Sequence, residues 1–288
     1  MISKAQRGVL SALLGLAALE TANAQVRPAA APAMPPDSFI TVNGVHLQYL
    51  DWGGTGEALL FLTALGGTAA DFQPLATHFT DSFHVFGLTR RGQGKSEKPV
   101  TGYDTATLTQ DIVAFLDAKS ISRVTLVGYS LAGNELTELA GRHPQRVAKL
   151  VYLDAAYDLA ENAELGRKAH LNLPAPVADN PTMELVAASN EYRPDYSRVQ
   201  VPTLGFFVTY DDPPRNENFD EETKKKLLAW WFEYGKTYRK EQIERFQSGV
   251  RNSTVVELHG TTHGRFVFEE KQQAILIREM RRFLISVQ

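Results

Sequence analysis

The chain has 288 residues, 43% hydrophobic and 22% charged, with a formal net charge of −3 and a pI of about 6.2. That is ordinary globular composition, long enough for one large α/β domain with a substantial core. The charge balance argues against nucleic-acid binding, and the absence of cysteine excludes disulfides, thiolate metal sites and a cysteine nucleophile.

Lys4 and Arg7 precede a mostly apolar run, Gly8 to Leu19, and Ala22-Asn23-Ala24 follows as an A-x-A site. This pattern predicts a secretory signal peptide over 1–24, cleaved after Ala24, and hence a secreted or periplasmic protein. The apolar run is short of the roughly 20 residues that a membrane span needs. Residues 25–37 are rich in Pro and Ala and read as an extended spacer. A single domain over 38–288 is expected to follow.

Within that domain, Phe39–Val42 and Val45–Leu50 flank Asn43-Gly44, a strong hairpin signal. Strands are predicted at Ala58–Leu62, His84–Leu88, Val124–Val127, Val147–Leu153, Val201–Val208 and Thr254–Leu258. Helices are predicted at Asp71–Phe79, Tyr103–Lys119, Leu131–Gly141, Glu221–Gly235, Lys240–Val250 and Glu270–Leu284. The apolar stripe Leu108, Ile112, Phe115, Leu116 carries the second of these. Lys224-Lys225-Lys226 follows Asp220-Glu221-Glu222 and reads as a solvated helix face. The stretch 155–200, interrupted by Pro174, Pro176, Pro181 and Pro194, is too long for a simple connection and reads as a small cap. The whole predicts an α/β fold: an N-terminal hairpin, then a mostly parallel doubly wound sheet covered by helices.

The segment Val124-Thr-Leu-Val-Gly128-Tyr-Ser130-Leu-Ala132-Gly133 runs strand, G-x-S-x-small, helix. A serine on such a tight turn stands above the sheet, and the turn admits only small residues two positions to either side. The following helix aims its first N–H groups at the same point, where they favour an oxyanion. The sequence resembles the α/β-hydrolase superfamily on this motif, over roughly residues 38–286. Arg91-Gly92-Gln93-Gly94-Lys95-Ser96 resembles the family's R-G-x-G-x-S turn, and Gly260-Thr261-Thr262-His263-Gly264 its histidine loop.

The resemblance implies Ser130 as nucleophile and His263 as base. His259 at a strand end and His143 before Pro144 are read as packing and capping residues. For the acid that orients the imidazole, the family position G-x-x-D maps onto Asp212, with Thr209 in place of the glycine. Asp211 and Asp154 are alternatives, the latter because some relatives carry the acid after the preceding strand. The oxyanion hole would use the N–H groups of Leu131 and Leu65. The chain departs from the family at Thr63-Ala64, where relatives have His-Gly, and at Thr89, where many have Asp.

The expected activity is hydrolysis of small or medium carboxylic esters through an acyl-enzyme, with no metal or organic cofactor. A prolyl-aminopeptidase-like hydrolase, with Glu161, Glu164 or Glu191 anchoring the substrate amine, is an alternative. So are a cofactor-free haloperoxidase-like enzyme and a catalytically silent ligand-binding protein of the same fold. The expected partner is a small ester or amide, with no nucleic acid and no membrane span; oligomeric state stays open.

Overall fold

The computed structural model describes residues 33–171, 181–210 and 220–285. The expected signal peptide over 1–24 and most of the spacer over 25–37 lie outside the described residues. No described helix is long and apolar enough to cross a membrane.

Eight strands form one sheet in the order β1-β2-β4-β3-β5-β6-β7-β8. They are β1 (Ser38–Val42), β2 (Val45–Gly53), β3 (Glu57–Leu62), β4 (Phe83–Leu88), β5 (Val124–Tyr129), β6 (Val147–Leu153), β7 (Thr203–Val208) and β8 (Ser253–Leu258). The hairpin closes as predicted, with Val42 opposite Val45. Asn43 and Gly44 take φ of 50° and 74°, as a two-residue primed turn requires. β2 also runs antiparallel to β4, and every other pairing is parallel. The fold is therefore the expected α/β-hydrolase architecture.

Eight α-helices surround the sheet among the described residues: α1 (Gln73–Ala76), α2 (Thr105–Ala118), α3 (Ala132–Arg142), α4 (Leu159–Lys168), α5 (Pro181–Ser189), α6 (Glu221–Trp230), α7 (Lys236–Gly249) and α8 (Glu270–Ile285). The parallel strands are apolar at successive positions because both faces are covered. Leu60, Leu62 and Leu126 pack with Ile112 and Phe115 of α2, Leu136 of α3 and Phe246 of α7. Leu59, Phe61 and Val127 pack with Phe72, Phe79, and Leu276 and Met280 of α8. The chain leaving β3 thus turns to one face and the chain leaving β5 to the other. That is a topological switch point, where open α/β sheets form their ligand crevice.

Three expectations are corrected. The helix predicted over Asp71–Phe79 is a 3₁₀ turn, Ala69–Phe72, followed by the single turn α1. Pro74 sits in the first turn of α1, and the chain bends on so that Phe72, Leu75 and Phe79 all reach the core. The stretch 155–200, read as a small cap with no helix predicted in it, carries α4 and α5; Asp158 caps α4 by accepting the Glu161 N–H. The two helices predicted over 221–250 form one continuous run, joined through a π-helical segment, Trp231–Gly235. Such a segment adds a residue to the turn and re-aims the side chains beyond it.

α3 approaches the sheet closely. A Cβ on Gly133 would lie 1.7 Å from the Ala155 carbonyl oxygen, a backbone atom just past the end of β6. Gly133→Ala therefore forces the β6 end and the α3 start apart. We expect a loss of roughly 2 kcal/mol of stability, measured as a lowered urea midpoint at unchanged slope.

Candidate active site

Ser130 follows β5 with φ of 57°, in the left-handed region that non-glycine residues rarely occupy. The neighbouring packing shows why the motif needs small residues. A Cβ on Gly128 would meet Leu136 Cδ1 at 2.6 Å and Ala132 Cβ at 3.2 Å. The Ser130 N–H donates to the Leu153 carbonyl, fixing the turn against β6. Ser130 Oγ lies 2.8 Å from His263 Nε2.

His263 stands on the loop between β8 and α8, its side chain about a quarter exposed. Its loop is pinned from two sides. The His263 backbone N–H donates to the Tyr210 hydroxyl at 2.9 Å, and the Tyr129 hydroxyl donates to the His263 carbonyl at 2.5 Å. Burial pushes both tyrosine hydroxyls above their ordinary range, so both stay neutral.

Among the described residues, the carboxylate at His263 Nδ1 belongs to Asp154, one of the alternatives weighed for the acid. Asp154 Oδ2 lies 2.5 Å from Nδ1. Asp212 and Asp211 fall outside the described residues. Asp154 is fully buried at the end of β6, with φ of 47°. Its Oδ1 accepts the Val208 N–H at 2.9 Å, the Tyr157 hydroxyl, and Arg239 Nη2 at 3.1 Å. Burial alone would raise its carboxyl. The Arg239 charge, then the hydrogen bond and charge of His263 and the Tyr157 hydroxyl, outweigh burial and hold it at about 2. Because a carboxylate faces Nδ1, the proton sits there and Nε2 is left to accept from Ser130.

Facing the serine is the loop Thr63–Gly67, after β3. Gly67 N–H donates to the Ala64 carbonyl and Gly66 takes φ of 76°, which turns the chain at Leu65. Arg90 Nη2 holds the Thr63 carbonyl at 2.9 Å at one end of the loop. At the other, the Thr89 hydroxyl accepts the Ala69 N–H at 2.9 Å and donates to Gln48 Oε1 at 2.8 Å. Thr89, one of the departures noted in the sequence, thus supplies an acceptor through its hydroxyl. Arg90 is itself held by a buried bidentate pair with Glu135 of α3, both bonds 2.6 Å. Leu65 and Leu131 side chains pack with Leu159 and Leu185 of α4 and α5 and with Tyr103, which makes the wall beside the serine apolar.

Of the acidic residues considered as amine anchors, Glu161 pairs with Arg245 and Gln242, and Glu164 with Arg193. His259 bonds Thr209 at the β8 end, and His143 caps the C-terminus of α3. Among the described residues no group of three His, Asp or Glu side chains is arranged to hold a metal ion. Tyr129, Tyr157, Tyr210 and Arg239 are the residues at the site that the sequence did not single out. A polar side chain within four residues of each acid or base candidate was the available signal for the tyrosines.

A family model described as the alpha/beta hydrolase fold matches residues 57–205, just over half of the chain. The protein belongs to the α/β-hydrolase fold family. Over 101 residues this hydrolase is 31% identical to a 2-(acetamidomethylene)succinate hydrolase of Mesorhizobium japonicum, covering 35% of this chain and 36% of that one. The matched stretch spans less than half the length of the first curated relatives. Among solved structures it resembles an esterase from Exiguobacterium antarcticum, with a TM-score of 0.64 at 18% identity over 86% of this chain and 99% of that one. It resembles a bromoperoxidase from Bacillus anthracis with a TM-score of 0.63 at 17% identity, over 87% and 100%.

Asp154 and Asp212, two of the three acids weighed, separate cleanly by mutation. Asp154→Asn leaves the wrong tautomer facing Ser130 and is expected to lower kcat by about 10³–10⁴. Asp212→Asn is expected to stay within a few-fold of the parent. Steady-state turnover of any accepted substrate by the two variants decides between them.

Proposed function

We propose that this hydrolase cleaves small or medium carboxylic esters by acyl transfer through Ser130. The observation that carries the reading is the unbroken chain from Ser130 Oγ to His263 Nε2 and from His263 Nδ1 to Asp154, at 2.8 and 2.5 Å. A serine hydroxyl is a weak nucleophile until a base takes its proton, and here the base is in place and oriented.

In the first step Ser130 Oγ bonds to the substrate carbonyl carbon while its proton passes to His263 Nε2. The carbonyl oxygen becomes an oxyanion, held by the backbone N–H groups of Leu131 and Leu65. The C–O bond to the leaving alcohol then breaks, and the imidazolium returns its proton to that oxygen. Water repeats the sequence: His263 takes one proton, the hydroxide oxygen attacks the acyl carbon, and Ser130 Oγ leaves with the proton back. Asp154 stays ionised throughout and stabilises the imidazolium. Loss of one oxyanion donor would cost about 10²–10³ in turnover.

The apolar wall of Leu65, Leu131, Leu159 and Leu185 favours an acyl group over a charged one. The aminopeptidase-like alternative needs a carboxylate open to a substrate amine; Glu161 and Glu164 are already engaged by arginines, which leaves the exposed Glu191 of the three acids weighed. Export after cleavage at Ala24 belongs to the same reading; its support is the pattern Lys4 to Ala24, and a mature N-terminus at Gln25, read by mass spectrometry of the cell-envelope fraction, is the expected result.

A series of p-nitrophenyl esters from acetate to decanoate tests the activity. Turnover is expected on the shorter acyl chains and is expected to fall on the order of 10⁶-fold in Ser130→Ala. Turnover retained by that variant, or none by the parent on any ester, overturns the proposal.

A further inference from the structure

Arg239 stands on α7, outside the expected catalytic motifs, yet it reaches the centre of the site. Its side chain is only one-fifth exposed. Nη2 donates to Asp154 Oδ1 at 3.1 Å and to the Val208 carbonyl at 2.7 Å, with Asp154 Oδ2 at 3.4 Å. The guanidinium carbon lies 4.3 Å from the Tyr157 ring centroid and 5.0 Å from that of Tyr210. Tyr157 donates to Asp154, and Tyr210 accepts the His263 backbone N–H. One side chain therefore reaches both supports of His263: its carboxylate partner directly, and its backbone anchor through a ring.

A structural ion pair could be built without this placement. What distinguishes Arg239 is that its positive charge sits on the carboxylate whose negative charge stabilises the imidazolium. A cation there cancels part of that stabilisation and also repels the imidazolium directly. Both effects have the same sign: they favour neutral His263, the form that accepts the Ser130 proton. The other titratable groups facing His263 are Tyr129, Tyr157 and Tyr210, all held neutral by burial, and Asp71, which acts across Tyr129. Arg239 is the one cation in direct contact with Asp154 among the described residues.

We propose that Arg239 is a positioning residue that fixes Asp154 and Tyr210 and extends the working range of His263 to lower pH. The proposal rests on the reading of Ser130, His263 and Asp154 as a hydrolytic triad. It also assigns a role to the helical run 221–249. The π-helical segment Trp231–Gly235 directly precedes α7, and Trp231 packs edge-on against Tyr210 at 5.6 Å between centroids. Just beyond it, Arg239 bonds Asp154 and Tyr238 donates to the Asp158 carbonyl.

The experiment is a pH profile of kcat/KM on a p-nitrophenyl ester for the parent, Arg239→Gln and Arg239→Lys. Each preparation is first titrated with a fluorophosphonate that labels Ser130, so that rates refer to competent sites. In Arg239→Gln the acid limb is expected to move up by about one pH unit, a tenfold loss of rate on that limb. Arg239→Lys keeps the charge and loses the guanidinium's contacts with the Tyr157 and Tyr210 rings. Its limb is expected to stay near the parental pH while its plateau falls severalfold. An acid limb that stays in place in Arg239→Gln, or that moves equally in both variants, overturns the role assigned to the charge. Asp71→Asn serves as a comparison, and a shift there as large as in Arg239→Gln also overturns it. A parent that neither reacts with the fluorophosphonate nor hydrolyses esters sinks the triad reading itself, which is a different failure.

Discussion

A carboxylate with no exposed surface has to find every partner inside the protein, and Asp154 organises the site around that demand. An isolated buried charge would cost several kcal/mol, and it would protonate instead of persisting. Asp154 avoids this with a backbone N–H from β7, a hydroxyl from Tyr157, a guanidinium from α7 and an imidazole from the loop after β8. Four separate pieces of the chain must arrive together for one charge to be tolerated. Three of the donors converge on Oδ1, which leaves Oδ2 aimed at His263. The geometry of the imidazole is thus set by how the rest of the carboxylate is satisfied.

The same constraint reaches the serine. Asp154 takes φ of 47° and Ser130 takes φ of 57°, and non-glycine residues in that region each cost about 1–3 kcal/mol unless the surroundings enforce them. The enforcement is mutual. Ser130 N–H bonds the end of β6, and Gly133 lets α3 press against the Ala155 carbonyl just beyond Asp154. Across the crevice the Thr63–Gly67 loop lacks the His-Gly pair of its relatives, and its ends are clamped instead by Arg90 and Thr89. Arg90 in turn pairs with Glu135, one turn into the helix that starts at the serine. The two sides of the proposed oxyanion hole are therefore braced on each other.

Much of this was legible in the chain. The alternation of apolar strands and amphipathic helices indicated the sheet, and Asn43-Gly44 the hairpin. Local chemistry placed Ser130, because a strand, a G-x-S-x-A turn and a helix start are contiguous in sequence. His263 came from the resemblance of Gly260-Thr261-Thr262-His263-Gly264 to the family's histidine loop. The acid did not follow in the same way. Thr-Tyr-Asp-Asp212 and Val-Tyr-Leu-Asp154 both end strands, and no local pattern shows that the Asp154 carboxylate is buried against His263 Nδ1. Arg239 was illegible for a different reason: its distance of 85 residues from Asp154 leaves no local pattern. The break expected between two helices over 221–250 also missed the π-helical segment, which is a matter of hydrogen-bond register and not of residue type.

With the Asp154 carboxylate following β6, the described end of β7 supports it. Val208 gives its N–H to Asp154 and its carbonyl to Arg239, and Tyr210 receives the His263 N–H. A donor, an acceptor and a ring from the β7 end then surround the acid, where relatives with the acid on β7 would present the carboxylate itself. An arginine fits this arrangement because Nη2 bonds the Val208 carbonyl and the Asp154 carboxylate while the flat guanidinium lies against the Tyr157 and Tyr210 rings, a contact a lysine ammonium makes less well. The position of the acid in the sheet and the presence of a cation behind it are in this sense one feature. It brings the helical run outside the sheet to the same site, through Arg239 at Asp154 and Trp231 against Tyr210.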